Sequence, residues 1–485
     1  MKHKQIGLKK NMLLYAIRGV SSVAFPLITH PYIARVLGAE QIGKSDFSKS
    51  IISYFLLIAG LGINTYAIRE GAKMRSDKGR TERFLSEVYS ISFISTIVSY
   101  LLLLLTIVVF GGLRSYIPLI IIYSIQMIFV TLGLEWIYSI YEDYLYITIR
   151  TVAFQLLSLV LLFTLVKQKE DLIVYVWIQV ITASASYVTN RIYSGKYVRI
   201  HLTHNNKWRE HIKPILVLFA MSATVTVYVS SDITMLGILC GDKTVGIYSV
   251  AVHIYSVIKV LVSSVIVVAI PKIASLLGEQ KLQEVNQTAT EVYSLLITLL
   301  MPVIVGIIVM REQIVFVISS REFSSAVNPL TLLAVAMFFC MGAWFWGQCV
   351  LVPFGKENMV LKITIISAAA NIILNAFLIP LWNENAAALT TAISEAISFT
   401  LCRMGGMRHV TVAGVGMIAV KSVIGCVAIV LIGTGVNTWL FTAWTQLLVA
   451  VMMSAISYFS IELLLRNDVV VDLVHSVERR SKTVT

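Results

Sequence analysis

Arg35-Val36-Leu37-Gly38-Ala39-Glu40-Gln41-Ile42-Gly43 has an echo two hundred residues on, Ile238-Leu239-Cys240-Gly241-Asp242-Lys243-Thr244-Val245-Gly246. In both, a glycine is followed by three polar or small residues, a β-branched aliphatic and a second glycine. Gly38 and Gly241, like Gly43 and Gly246, are 203 residues apart. An apolar run on either side of each copy predicts the tight outer turn of a transmembrane hairpin, with the four glycines as hinge points supplying backbone freedom. A whole hairpin repeated at one offset implies two halves of similar build, as in many transporters.

Of 485 residues, 57% are hydrophobic and 13% charged, and the mean hydropathy is +0.82. Soluble domains carry about a quarter charged residues, so an all-α polytopic membrane protein is expected. No stretch between apolar runs much exceeds about twenty residues, which leaves no room for a soluble catalytic module. The basic start leads into a run too long for a signal-peptide core and reads as the first retained span. Cys240, Cys340, Cys349, Cys402 and Cys426 lie in or beside apolar segments without a CxxC pair, so free packing thiols are expected. No His or acidic cluster has metal-ligand spacing, and no nucleophile–base pair or phosphate loop appears. Neither metal, cofactor nor catalysis is expected.

Counting about twenty apolar residues per crossing gives about 14 transmembrane helices. Those that matter below are 12–37 and 47–68 (first and second), 117–140 (fourth), 326–351 (tenth), and 359–380 and 386–404 (eleventh and twelfth). With the N-terminus in the cytoplasm, 25 of the 39 Lys and Arg fall on that side and 7 outside, so both termini are expected to be cytoplasmic. That bias explains most of the net charge of +13 without a nucleic-acid partner. The glycine hairpins join crossings one to two and seven to eight, so the repeat unit is six helices. An even unit predicts two six-helix lobes related by a pseudo-two-fold axis along the membrane normal. The expected division is an N-terminal lobe (1–193), a basic cytoplasmic connector (194–213), a C-terminal lobe (214–404), two extra C-terminal helices (405–465) and a cytoplasmic tail (466–485). Gly133–Trp136 and Gly342–Phe345 form a fainter repeat.

Arg18, Arg35, Lys49, Arg150, Lys259, Lys362 and Lys421 fall within spans, where a central basic residue costs about 2.5–3.5 kcal/mol. Arg35, Lys49 and Lys362 are close enough to helix ends to snorkel. Arg18 and Lys259 lie at one depth, about 10 Å above the cytoplasmic edge, on the leading helices of opposite lobes. Each belongs to a polar stripe: Asn11, Tyr15, Arg18, Ser22 and Thr29, and Ser249, His253, Ser256, Lys259 and Ser263. Facing each other, these stripes would line a wet cationic cavity. Glu135 and Arg150 flank the Tyr141–Asp143 turn as an expected structural ion pair. Asp232 and Glu395 are buried acids, either structural or available to couple transport to a proton or sodium ion. Glu462 reads as snorkelling. Pro26 and Pro31 remove hydrogen-bond donors from the first crossing and mark a kink or hinge, with His30 placed to satisfy a freed carbonyl. Such a cavity suits an amphiphile with an anionic head group, moved by alternating access.

A resemblance adds to this. Phe25-Pro26-Leu27-Ile28-Thr29-His30-Pro31-Tyr32-Ile33-Ala34-Arg35-Val36-Leu37-Gly38, continuing through Ile42-Gly43 and Ser50–Phe55 to Gly60–Glu70, resembles the N-terminal region of bacterial polysaccharide flippases of the Wzx type, as do Ser231–Gly237 and Val245–Ser249. Their superfamily includes multidrug exporters and peptidoglycan-precursor flippases, with a V-shaped pair of six-helix lobes. The resemblance implies a flippase of the bacterial cytoplasmic (inner) membrane. Its substrate would be an undecaprenyl-diphosphate-linked oligosaccharide carried to the outer leaflet for O-antigen, capsule or exopolysaccharide assembly. Partners would be that lipid-linked oligosaccharide, membrane lipids and other polysaccharide-assembly proteins. The coupling would be to a proton or sodium gradient or the membrane potential. It also implies that Arg18, Lys49 and Lys259 engage the diphosphate, with Lys49 and Arg35 on the exit side. A multidrug exporter of the same superfamily is the rival reading, and favours acids over bases in its cavity. A glycan polymerase or ligase would need larger outer loops than this chain has.

Overall fold

The computed structural model describes the backbone of residues 8–203, 208–438 and 442–472, and the side chains of residues 19–203, 209–438 and 442–472. Among these residues there are helices and turns and no strand. The α-helices in order are α1 (Leu8–Gly60), α2 (Ile63–Lys73), α3 (Lys78–Val109), α4 (Ile117–Leu132), α5 (Trp136–Ile140), α6 (Tyr144–Leu165), α7 (Leu172–Ser194), α8 (Trp208–Leu239), α9 (Asp242–Gly278), α10 (Leu282–Val309), α11 (Arg311–Ile318), α12 (Val327–Trp344), α13 (Glu357–Gly406), α14 (Val415–Asn437) and α15 (Ala443–Leu464). Twelve helical stretches among the described residues are long and apolar enough to cross a membrane. Two of them hold α1 and α13, of 53 and 50 residues, which would run to about 80 and 75 Å as single rods against a hydrocarbon core of about 30 Å. Each is broken inside, α1 at Gly38 (φ 76°) and α13 at Asn383 (φ 49°). Read as pairs, they bring the crossings to fourteen.

The glycine motif differs from the expected loop. Only Gly38 leaves the helix, and residues 39–43 are already helical. Gly43 and Gly246 both sit inside helices, and their role is space. A Cβ on Gly43 would lie 1.7 Å from the Asp242 carbonyl oxygen, and one on Gly246 would lie 1.9 Å from that of Ala39. The first glycine of each motif supplies conformation instead, with φ 76° at Gly38 and 86° at Gly241. The second crossing, expected to run to residue 68, stops at Gly60 because Leu61 and Gly62 turn left-handed (φ 44° and 70°). There a Cβ on Gly62 would come within 2.7 Å of the Phe219 nitrogen, so the break admits the backbone of α8. The fourth crossing is likewise interrupted, by Leu134 at φ 47°.

Contacts divide the chain into two compact units, Met1–Gly246 and Ile247–Thr485. In the first, α3, α4, α6 and α8 all pack on α1. The α1–α8 seam is lined with hydroxyls, the bonding that holds helices together where water is absent. Ser53 Oγ lies 3.0 Å from Ser230 Oγ, Tyr54 OH lies 3.0 Å from Thr234 Oγ1, and Thr234 Oγ1 donates to Ser50 Oγ at 3.0 Å. In the second unit α12 packs on α13, while α14 packs on α10 and α15. Glu462 does not snorkel. It is fully buried and accepts from Asn467 Nδ2 at 2.5 Å, in space left by Gly425, where a Cβ would stand 3.1 Å from the carboxylate.

Both units contain the same two local devices. Gly133 lies against Tyr187 and Gly342 against Phe399, at distances where a Cβ would meet the ring at 2.4 and 2.6 Å. After α7 an extended segment runs along α3: Arg199 N donates to Glu82 Oε1 (2.8 Å), His201 N to Ser86 Oγ (3.4 Å) and Thr203 N to Ser90 Oγ (2.9 Å). Donors two apart on an extended chain advance about 6.6 Å and acceptors four apart on a helix about 6 Å, so the registers match. After α13 the pattern returns on α10, with Thr411 N donating to Asn286 Oδ1 (3.0 Å) and Ala413 N to Thr290 Oγ1 (3.4 Å).

The head of α8 is fixed by a polar relay. His211 Nδ1 lies 2.8 Å from Tyr66 OH, and His211 Nε2 lies 3.0 Å from Oε2 of the buried Glu87. His211→Phe keeps the ring contacts and removes the carboxylate's imidazole partner, a loss of about 1–3 kcal/mol. The melting temperature in detergent is expected to fall by several degrees, and adding Glu87→Leu is expected to restore most of it. An unchanged melting temperature for His211→Phe would remove the relay from the account of stability.

Candidate functional site

An ammonium inside an apolar helix bundle requires partners, and the second unit supplies them from three helices. Lys259 projects from α9 with Nζ 5.6 Å from the centre of the Tyr255 ring and 6.0 Å from that of Trp344 on α12. Aromatic faces attract a cation through their quadrupoles. The Cys340 thiol on α12 and the Glu395 carboxylate on the second half of α13 lie within electrostatic reach of the ammonium. Glu395 is itself buried. The counter-charge that α9 lacks therefore comes from another helix, which joins two residues that the sequence reading treats separately. Immediately after Trp344 the helix widens into a π-turn over Phe345–Leu351, a local irregularity that recurs at functional sites.

The rest of the expected stripe is not uniformly wet. His253 is half-buried and Ser256 exposed, whereas Ser249 and Ser263 are buried. On α1, the side chains of Asn11, Tyr15 and Arg18 lie outside the described residues. Ser22 and Thr29 donate to their own helix, to Gly19 O (2.7 Å) and Phe25 O (3.0 Å). Pro26 and Pro31 are accommodated inside α1, whose one non-helical residue is Gly38. His30 is half-buried, and Arg35 and Lys49 are exposed.

Asp232 is buried on α8 beside the hydroxyl seam, within electrostatic reach of Tyr54. Arg150 Nη2 stands 3.3 Å from Glu135 Oε1. Its Nη1 donates to Asn190 Oδ1, and the guanidinium lies 6.0 Å from the Tyr146 ring centre. Among the described residues no three of His, Cys, Asp and Glu gather as a metal site would require. The five cysteines are free thiols, four of them buried and Cys240 half-buried.

The profile of the family described as "Polysaccharide biosynthesis protein" matches residues 8–277, more than half of the chain. The chain belongs to this family. A relative named "Putative O-antigen transporter" from Escherichia coli K12 is 22% identical over 419 residues, covering 83% of this chain and 98% of the relative. The capsular polysaccharide biosynthesis protein CapF of Staphylococcus aureus is 22% identical over 396 residues, covering 80% of this chain and 96% of CapF. Among solved structures, the lipid II flippase MurJ in an inward closed conformation superposes with a TM-score of 0.76 at 16% identity, over 94% of this chain and 100% of MurJ. At that identity the likeness carries the fold. The protein is thus a multi-pass membrane transporter of the polysaccharide biosynthesis family, with a MurJ-like helix arrangement.

Within this family member the matched segment holds both glycine motifs, the Glu135–Arg150 pair and Lys259, while Glu395 and the π-turn lie beyond it. Sequence reasoning missed the surroundings of Lys259. Tyr255 was legible, one turn before Lys259 on the same face, whereas nothing in the sequence joins Cys340 and Trp344 to α9.

Proposed function

We propose that this protein carries an undecaprenyl-diphosphate-linked oligosaccharide repeat unit from the cytoplasmic to the outer leaflet by alternating access, for assembly of a cell-surface polysaccharide. Membership of the polysaccharide biosynthesis family carries the reading, and the setting of Lys259 supports it. A half-buried ammonium beside two polarisable rings, with a carboxylate within electrostatic reach, can exchange that weak company for a diphosphate, which it binds by charge-assisted hydrogen bonds. The polyprenyl tail remains in lipid. Both termini lie in the cytoplasm, in keeping with the bias of basic residues. A proton or sodium gradient or the membrane potential drives the cycle, with Asp232 and Glu395 as the buried carboxylates available to a coupling ion.

The test is the leaflet location of the lipid-linked repeat unit in cells whose only flippase is this protein. The precursor is expected at the outer face when the protein is expressed and inside when it is not. Retention inside despite normal membrane levels would overturn the reading.

A further inference from the structure

A second polar centre lies wholly within the first unit. A cavity of about 360 Å³ is lined by the Glu135–Arg150 pair together with Thr151 and Gln155 from α6 and Gln179 and Ser186 from α7. Phe25, Phe154 and Tyr187 add aromatic surface to its wall. Its volume is within the range of small-molecule sites. The other side of α6, with Leu156, Leu157 and Val160 exposed, is an apolar face, so this helix divides its polar and apolar residues between cavity and lipid.

Polar groups at membrane depth are costly unless they are satisfied, and this cavity holds more than the protein satisfies. Arg150 is buried, yet its Nε has no hydrogen-bond partner among the described residues. Among the described residues the half-buried side chains of Gln155 and Thr151 find no hydrogen-bond partner. A structural ion pair alone needs none of these surplus groups.

Their chemistry selects the guest. An anion would be opposed by the Glu135 carboxylate and a cation by the Arg150 guanidinium. An apolar guest would strand the amides and hydroxyls. A neutral ring bearing hydroxyls that both donate and accept satisfies all of them, and its C–H face lies well against an aromatic side chain. We propose that this pocket holds a sugar ring of the transported glycan, separately from the diphosphate assigned to Lys259. This rests on the flippase reading above.

The experiment uses the full chain in lipid nanodiscs and two probes: undecaprenyl diphosphate, and the same lipid bearing the repeat-unit oligosaccharide, extracted from cells lacking the flippase. Binding is read by native mass spectrometry. The parent is expected to bind both, the glycosylated lipid more tightly. Gln155→Leu with Thr151→Val is expected to weaken the glycosylated lipid about tenfold and leave the bare lipid unchanged. Ser186→Ala, from the facing helix, is expected to move the same ratio in the same direction and guards against a folding defect in the first variant. Unchanged binding of both probes, or equal loss of both, in variants that melt like the parent would overturn the sugar site while leaving the flippase reading intact. A parent that binds neither lipid would overturn the flippase reading, and the sugar site with it.

Discussion

Lys259→Ala is expected to lower delivery of the lipid-linked repeat unit to the outer leaflet by about tenfold to a hundredfold at matched membrane levels, the loss that follows from removing a hydrogen bond to a charged group. Lys259→Arg, which keeps the charge, should retain most of the transport. The interpretation turns on Glu395. Removing one of two opposite charges that interact inside a helix bundle leaves the other uncompensated, whereas removing both together is often neutral for stability. The double variant Lys259→Met/Glu395→Gln is therefore expected to melt close to the parent and still to transport as poorly as Lys259→Ala. If the double variant recovers transport together with stability, Lys259 is only the partner of Glu395 and the diphosphate is held elsewhere.

Gly43→Val and Gly246→Val are expected to abolish accumulation of folded protein. The atoms a Cβ would strike are backbone carbonyl oxygens, at 1.7 Å for Gly43 and 1.9 Å for Gly246, so no side chain can rotate away. Even alanine would force the helices apart. Overpacking costs about 1–3 kcal/mol where side chains can yield, and more here, against a total stability of about 5–15 kcal/mol. Gly60→Ala is the control, since nothing lies within 4 Å of its Cβ position, and it should be neutral or slightly stabilising. The readout is the monodisperse fraction after detergent extraction, with its melting temperature. A Gly43→Ala variant that melts like the parent would show that the contact is looser than described.

Much of the fold was legible because a membrane span announces itself through length and hydropathy. The breaks were less so. Leu61 and Leu134 adopt left-handed angles beside glycines, which inside an apolar run do not by themselves mark a break. They turn because glycines beside them meet a neighbouring backbone or ring, at Phe219 for Gly62 and Tyr187 for Gly133, and such approaches exist only after folding. Glu462 misled for a related reason: its depth suggests escape to the surface, while its partner Asn467 sits past the end of the helix. The polar wall of the first unit was readable. Thr151, Gln155 and Ser158 recur at intervals of four and three residues, as do Gln179, Thr182 and Ser186, the spacing of one helical face. They were eclipsed by the adjacent charges, which drew a pairwise reading of Arg150 and Glu135.

The contact of Gly43 and Gly246 with the facing backbone also has a mechanical meaning. Interleaved leucines resist rotation because each must leave one hollow before entering the next, and packed interiors shift between discrete arrangements for that reason. Where peptide backbone lies directly on peptide backbone there are no rotamers to reset. The separation of the two helix ends is therefore set by backbone alone, and no side chain can take up a change at either glycine.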